Sequence, residues 1–359
     1  MPDLPKTMRA LVVRGRDQYE IEEVDTPRAG EGEIIIKIEG CGICAGDAKA
    51  FHGADRFWGG SGMEPSVVVP FIPGHEFLGH VAEIGPHTSG NFKIGDRITS
   101  EQIVPCWECR FCKSGRYWMC QRAYVYGFRT AVNGGFAEYM RLPKGALNYR
   151  VPDALPFEAA ILIEPYGCAK HAVDRAQVNN EDIVVQAGAG CLGLGMVSYL
   201  SMKNPKKIVV LDMKDDRLRT AKEFGADIVL NPAKDDVKKI IMDLTDGYGC
   251  DVYIEATGHP DSVIQGMDLV RRLGRFVEFS VFGAPVVMDW SVIGDVKELD
   301  VLGAHLSPYC FEPVIEWLGD NKLKYNGVVT HTYRLEDWEE AFEIAATGKD
   351  NANRVAIKP

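Results

Sequence analysis

The sequence is short of positive charge. Its 40 Lys and Arg face 51 Asp and Glu, a formal net charge of -11. A surface of that sign disfavours nucleic acid and anionic membrane as partners. An export signal is missing too. Met1 to Lys6 is polar and Pro-containing with no apolar run behind it, so a cytoplasmic location is expected. The longest uncharged stretch, Ile183 to Met202, has membrane-span length but is broken by Gly188, Gly190, Gly193 and Gly195. It reads as a buried strand and helix. Internal repeats and low-complexity segments are also absent. With 359 residues, 46% of them hydrophobic and 25% charged, the chain can build two cores, hence two domains.

Ten cysteines are present, and a reducing compartment argues against disulfides. Four of them fall as Cys106-x-x-Cys109-x-x-Cys112 followed by Cys120. That spacing suits a closed tetrahedral zinc site, in which the metal holds a loop with little core of its own. No thioredoxin-like strand–helix–strand pattern surrounds it, which disfavours a redox CxxC. Cys41, Cys168, Cys191, Cys250 and Cys310 are scattered and read as small core fillers.

The clearest local signal is Ile183-Val184-Val185-Gln186-Ala187 running into Gly188-x-Gly190-x-x-Gly193 and then an apolar helix. Gly188 makes the tight turn, Gly190 lets backbone approach a pyrophosphate, and Gly193 lets the helix pack on the strand. The helix start adds unpaired N–H groups and partial positive charge for the phosphates. The next strand, Lys207 to Leu211, ends in Asp212, where a ribose-binding acid belongs.

The rest of the pattern divides the chain. From Met8 to about Arg150 it reads as β-rich, with short strands at Met8 to Val13, Glu33 to Glu39 and Gly79 to Ile84 among Gly, Pro and Asp turns. Phe157 to Arg175 reads as helical and contains Glu164-Pro165. Strands and helices then alternate: helix Asp215 to Phe224 closed by Gly225, strand Ile228 to Leu230, and a helix carrying Val237, Ile240, Ile241 and Leu244 on one face. Next come strand Val252 to Glu255, a helix capped by Asp261 and stopped by Gly274, strand Arg275 to Ser280, and strand Leu299 to Leu302. That alternation implies a parallel, doubly wound sheet. Glu312 to Leu318 and Leu335 to Ala346 read as helices and Val355 to Ile357 as a last strand.

Two further motifs carry chemistry: Gly42-Ile43-Cys44-Ala45-Gly46-Asp47 and Gly74-His75-Glu76. Taken in order with the four-cysteine lobe, Glu164-Pro165 and the Gly188 to Asp212 segment, they resemble the zinc-dependent medium-chain dehydrogenases over nearly the whole chain. Glu164-Pro165 is similar to the sorbitol and threonine dehydrogenase branch. Cys44-Ala45-Gly46-Asp47 and the Phe51-His52-Gly53 to Phe57-Trp58-Gly59 stretch most resemble the erythritol/L-threitol dehydrogenases.

The resemblance implies an α/β fold. A GroES-like β-rich catalytic domain would span 1–160 and 305–359, with the structural zinc lobe at about 104–122. A doubly wound parallel-sheet Rossmann domain binding NAD would span 161–304. It implies two zincs per chain, one held by Cys106, Cys109, Cys112 and Cys120, the other by Cys44 and His75. Glu76 and Glu164 compete for the remaining protein position, and Asp47 orients the ligands. Cofactor contacts fall to Gly188, Gly190, Cys191, Leu192, Gly193, Asp212 and Arg217. Phe51, His52, Phe57 and Trp58 become candidates for the substrate pocket, with Phe51 and Phe57 equally suited to anchoring their loop. His80, His87, His259 and His331 match nothing and read as structural. By the same analogy the enzyme is a tetramer.

The chemistry explains the residue types. An alcohol yields hydride readily only as an alkoxide, and zinc lowers the pKa of bound water from about 15.7 to about 7. Roughly nine units at about 1.36 kcal/mol each is on the order of 12 kcal/mol. A positioned acid or base contributes about 3–5 kcal/mol, so the metal dominates. Family members usually carry Ser or Thr where Gly46 stands, to pass the alcohol proton outward; here a water chain or His52 has to serve. The expected activity is oxidation of a secondary alcohol to a ketose with NAD, a four-carbon polyol favoured. An L-threonine or longer sugar-alcohol dehydrogenase is the alternative within the class. A non-catalytic nucleotide-binding protein with one structural zinc is the alternative outside it.

Overall fold

The computed structural model describes residues 4–60, 62, 64–129 and 131–359. Met1 to Asp3, the start of the polar N-terminal stretch, lie outside the described residues. The chain forms two compact units: Met1–Glu164 with Phe311–Gly319 and Val328–Pro359, and Pro165–Cys310 with Asp320–Gly327. Segments 305–310 and 320–327, expected with the first domain, cluster with the second unit, and 161–164, expected with the second, cluster with the first.

The first unit is built on a seven-stranded sheet. Its order is Val329–Arg334, Arg354–Lys358, Ile34–Gly42, Glu76–Ile84, Arg97–Ser100 and Asn148–Arg150, with Tyr139–Leu142 also pairing Ile34–Gly42. A hairpin, Thr7–Gly15 and Gln18–Asp25, stands apart from that sheet. The register of the sheet decides which residues meet. Gly42 pairs with Glu76 on one side and Ala356 on the other, which brings the ends of three strands from distant parts of the chain together. A Cβ at Gly42 would lie 2.5 Å from Glu76 Oε2, so only glycine leaves room there for the neighbouring carboxylate. Leu11, Ile34, Ile36, Phe77, Phe136 and Ile357 are fully or nearly fully buried in this unit's core.

In the second unit six strands run parallel in the order Ile228–Leu230, Lys207–Leu211, Ile183–Ala187, Cys250–Glu255, Val270–Glu278 and Asp300–Gly303. Numbered along the chain this is 3-2-1-4-5-6, the doubly wound dinucleotide-binding order. Ile183–Ala187 is buried at every position, as a central strand covered on both faces must be.

Three sequence expectations are corrected here. The helix expected over Phe157 to Arg175 is two pieces, Phe157–Ala160 and Ile163–Arg175. Restarting at Ile163 puts Pro165 in the first turn, where its missing N–H is not needed. The helix read as capped by Asp261 spans Pro260–Leu269 and is capped by His259, whose Nδ1 accepts the Asp261 N–H at 3.3 Å. It stops at Leu269 rather than Gly274, because Lys297 Nζ donates to the carbonyls of Met267, Asp268 and Val270 at 2.6–2.8 Å. Among the described residues no helix is long and apolar enough to cross a membrane.

Candidate active site

Cys44 sits at the start of the short helix Ala45–Phe51, directly after strand Ile34–Gly42. His75 immediately precedes the paired strand Glu76–Ile84, which Glu76 opens. One ligand atom from each of Cys44, His75 and Glu76 lies within 4.8 Å of the others. The Cys44 N–H donates to Asp47 Oδ2 at 2.9 Å. Asp47 Oδ1 then faces His75 Nδ1 at 3.7 Å, too long for a hydrogen bond. Both atoms are buried and lack a hydrogen-bond partner.

Burial pushes the Cys44 thiol and the Asp47 carboxyl up from their usual ranges. Burial also opposes charge on His75, yet Asp47, Cys44 and Glu164 outweigh it and hold the imidazole well above its ordinary value. Several acids thus converge on one buried point. Such a set is satisfied by a divalent cation, and thiolate, imidazole and carboxylate are the donors zinc takes. The residues fit a catalytic zinc.

Glu76 and Glu164 are placed differently. Glu76 belongs to the three-donor cluster, and Arg354 Nη1 lies 2.6 Å from its Oε2 while donating to the Ile43 carbonyl at 2.7 Å. Glu164 is buried outside that cluster, and its Oε1 accepts from Gln102 Nε2 at 2.6 Å.

The four-cysteine lobe is assembled. Its Sγ···Sγ separations are 3.4, 3.6, 3.8 and 4.0 Å for Cys106–Cys120, Cys109–Cys112, Cys109–Cys120 and Cys106–Cys112. Thiolates about 2.3 Å from a tetrahedral zinc would stand about 3.8 Å apart. The cage therefore has the right size for that ion and is too wide for disulfides. Backbone N–H donors, the first from Glu108, bring the Cys106 thiol down to about 6, whereas burial lifts Cys112 to about 12.

In the second unit the glycine turn has the anticipated form. A Cβ at Gly188, where φ is +101°, would meet the Ala256 carbonyl at 2.7 Å, and one at Gly193 would lie 2.1 Å from the Gly188 carbonyl. Gln186 Nε2 donates to the carbonyls of Gly188 and Gly193, 2.9 Å each, and pins the turn from below. Gly190 caps helix Cys191–Lys203, so Cys191 and Leu192 are its first residues. A cleft of about 590 Å³ opens beside them, lined by Gly188, Gly190, Asp212, Arg217 and His259 among others. Asp212 accepts from the backbone N–H groups of Ala189 and Lys214 at 2.7 and 2.8 Å. The cradle fits a dinucleotide.

Comparison with known proteins agrees with this geometry. Residues 30–153 match the alcohol dehydrogenase GroES-like domain and residues 191–320 match zinc-binding dehydrogenase. The erythritol/L-threitol dehydrogenase of Mycolicibacterium smegmatis is 46% identical over 358 residues, 99% of each chain. The chain belongs to the zinc-dependent medium-chain dehydrogenases. The L-threonine 3-dehydrogenase of Pyrococcus horikoshii is 34% identical, covering 92% of each chain. An alcohol dehydrogenase from E. coli CFT073, solved with NADH, superposes with a TM-score of 0.87 at 26% identity, covering 99% of this chain and 100% of that one.

Of the proposed pocket residues of this dehydrogenase, Phe51 and His52 are neighbours, ring centres 5.0 Å apart. Phe51 packs edge-on against Tyr19, Trp338 and Phe342. His52 is half exposed and faces Glu343 at 4.0 Å. Trp58 spends its indole N–H on the Ala50 carbonyl at 2.7 Å, which ties two turns of the loop together. The rings beside His75 are those of Phe128 and, behind it, Phe57. Phe128 stacks on His75, ring centres 5.9 Å apart, and Phe57 stacks on Phe128 at 5.6 Å. Phe57 also lies 3.6 Å from where a Cβ of residue 46 would be, so it borders the space beside Gly46.

Arg354, Gln102 and Phe128 escaped the sequence reading. His259, read there as structural, caps a helix but also lines the cofactor cleft. Of the other histidines treated as structural, His80 Nε2 pairs with Glu39 at 3.3 Å and His331 stacks on Tyr333. Cys41 is fully buried, and that burial pushes its thiol well above the ordinary value.

Proposed function

We propose that this dehydrogenase uses zinc and NAD to oxidise a secondary alcohol of a polyol to a ketose. Erythritol or L-threitol, each giving erythrulose, is the favoured substrate pair. The convergence of Cys44, His75 and Glu76 within 4.8 Å carries the catalytic reading. The 46% identity to an erythritol/L-threitol dehydrogenase along the whole chain supports the substrate. Zinc, when bound, would lower the pKa of the alcohol, and NAD would accept the hydride.

The chain's residues divide the remaining work. Cys44, His75 and Glu76 hold the metal, while Asp47 orients the His75 ring through Nδ1 and Arg354 holds Glu76. Glu164, buried beside the cluster, bonds a hydroxyl or water there. Phe57 and Phe128 keep bulk water off the reacting carbon. Helix Cys191–Lys203 receives the pyrophosphate at its N-terminus. Asp212 takes the ribose hydroxyls and repels a 2′-phosphate, with Arg217 bordering Gly190. Cys106, Cys109, Cys112 and Cys120 hold a second, structural zinc, two per chain in all. Ten cysteines without a disulfide suit a cytoplasmic enzyme, and the family analogy supports a tetramer.

A substrate panel read by NADH absorbance tests this directly. Tetritols are expected to react well, sorbitol more weakly and simple butanols poorly, because a site built to pair hydroxyls rejects analogues lacking them. Faster turnover of butanols or L-threonine than of either tetritol overturns the substrate. One zinc per chain in place of two overturns the catalytic metal.

A further inference from the structure

Gln102 is 1% exposed and Glu164 6% exposed, and the amide of the first donates to the carboxylate of the second at 2.6 Å. Both groups give up water on burial, and the bond between them offsets that cost. Its neighbours also hold Gln102 in place. The Gln102 carbonyl accepts the Tyr126 N–H at 3.1 Å, and the Glu101 N–H donates to the Leu147 carbonyl at 3.0 Å. The buried Glu101 carboxylate accepts hydroxyl bonds from Tyr117 and Tyr149 at 2.8–2.9 Å. Tyr117 lies between Cys112 and Cys120 in the lobe, so the lobe braces the residue next to Gln102.

We infer that Gln102 is a positioning residue for Glu164: it fixes Oε1 by a charge-assisted bond and keeps the carboxylate turned toward substrate. The inference rests on the role proposed above for Glu164. An amide suits the task because it donates without titrating. A glutamate at 102 would instead set two buried carboxylates against each other, and one of them would have to keep a proton.

A double-mutant cycle on the zinc-loaded enzyme tests it. Gln102→Met keeps the volume and removes the donor, and is expected to lower kcat/KM for the tetritol by roughly 10- to 100-fold, the worth of a charged hydrogen bond. In a Glu164→Gln background the same change is expected to cost little, since the carboxylate it serves is gone. Gln102→Glu should fold with both zincs and move the acid limb of the kcat/KM profile to higher pH. An equal Gln102→Met loss in both backgrounds, or a loss accompanied by missing zinc on elemental analysis, shows a merely structural residue and overturns the inference. Unchanged activity in Gln102→Met with Glu164→Gln inactive overturns it while leaving Glu164 in place. Full activity in Glu164→Gln removes the role of Glu164 and the inference with it.

Discussion

Arg354 Nη1 lies 2.6 Å from Glu76 Oε2, with only 6% and 1% of the two side chains exposed. Glu76 is therefore claimed from two sides, by the metal cluster and by a guanidinium that arrives on the strand beside Gly42. An ion pair so deeply buried stabilises little relative to apolar residues, but removing one partner strands the other charge.

Arg354→Met is accordingly expected to cost about 3–5 kcal/mol, read from the denaturant midpoint of the zinc-loaded enzyme. Adding Glu76→Gln should restore part of the loss, because no uncompensated carboxylate remains. Strictly additive single and double variants would show that the two side chains do not act as a pair.

This pair also marks the limit of what the sequence can say. The glycine turn, Asp212 and the four cysteines were legible because their chemistry is local: each function needs set residue types at set spacings, and the intervals survive folding. Arg354 was not, for it meets Ile43 across 311 residues and sits in a strand with no unusual pattern. Gln102 and Glu164 are 62 apart, and Phe128 stacks on His75 although the two are distant in the sequence. Trp58 shows another limit. Its composition suits a pocket wall, but its N–H was claimed by the nearby Ala50 carbonyl, a contact that residue type alone does not reveal. Where helices ended was likewise decided by long-range caps such as Lys297.

The two metal sites should respond differently to the same chemical change. Cys109→Ser removes one of four thiolates from the lobe proposed to hold the structural zinc, and a lower melting temperature with one zinc left per chain is expected. Cys44→Ser lies beside a well-packed core and should keep the fold and the lobe zinc while losing nearly all turnover. Equal melting of both variants, with most activity kept in Cys44→Ser, would reverse the assignment of the sites.

Asp212 already accepts two backbone hydrogen bonds, from Ala189 and Lys214, so its carboxylate is held in place at the cleft. Asp212→Ser is expected to lower kcat/KM with NAD at least about tenfold, the worth of about 1.4 kcal/mol, and to lower it less with NADP or raise it. Steady-state kinetics with both cofactors decide the point. Equal efficiency with the two in the unaltered enzyme would remove Asp212 as the discriminator.

His171 gives the protein an acid-sensitive element in its second unit. Burial, with Arg175 and Lys170 nearby and only Asp174 opposing, brings its pKa down to about 4, against about 6.5 in an unfolded chain. Between those values the unfolded state binds the extra proton. The contribution is therefore complete above pH 6.5 and is lost as pH falls toward 4. Part of the ring stays in water, so at most roughly 2 kcal/mol is at stake. His171→Asn should flatten the fall in melting temperature between pH 6.5 and pH 4.5; an unchanged slope would exclude this histidine as its source.

Substrate size should be set by Phe57 and Phe128 rather than by Phe51 and Trp58. Phe128 stacks on His75, and Phe57 backs it while crowding the space beside Gly46. Together they form an apolar wall close to the metal donors, which shortens the space left for a chain beyond the reacting carbon. Phe128→Ala should open that space and improve sorbitol relative to erythritol or L-threitol, chiefly through a lower KM for the longer polyol, with zinc content unchanged. Trp58 acts at one remove, because its indole bonds the Ala50 carbonyl and joins the helix after Cys44 to the turn before Gly59. Trp58→Ala should therefore weaken tetritol preference and lower the melting temperature together, whereas Phe128→Ala should change preference with a much smaller thermal cost. Measured side by side, a Phe128→Ala enzyme that keeps its discrimination while Trp58→Ala loses it with no drop in melting temperature would return the pocket wall to Trp58.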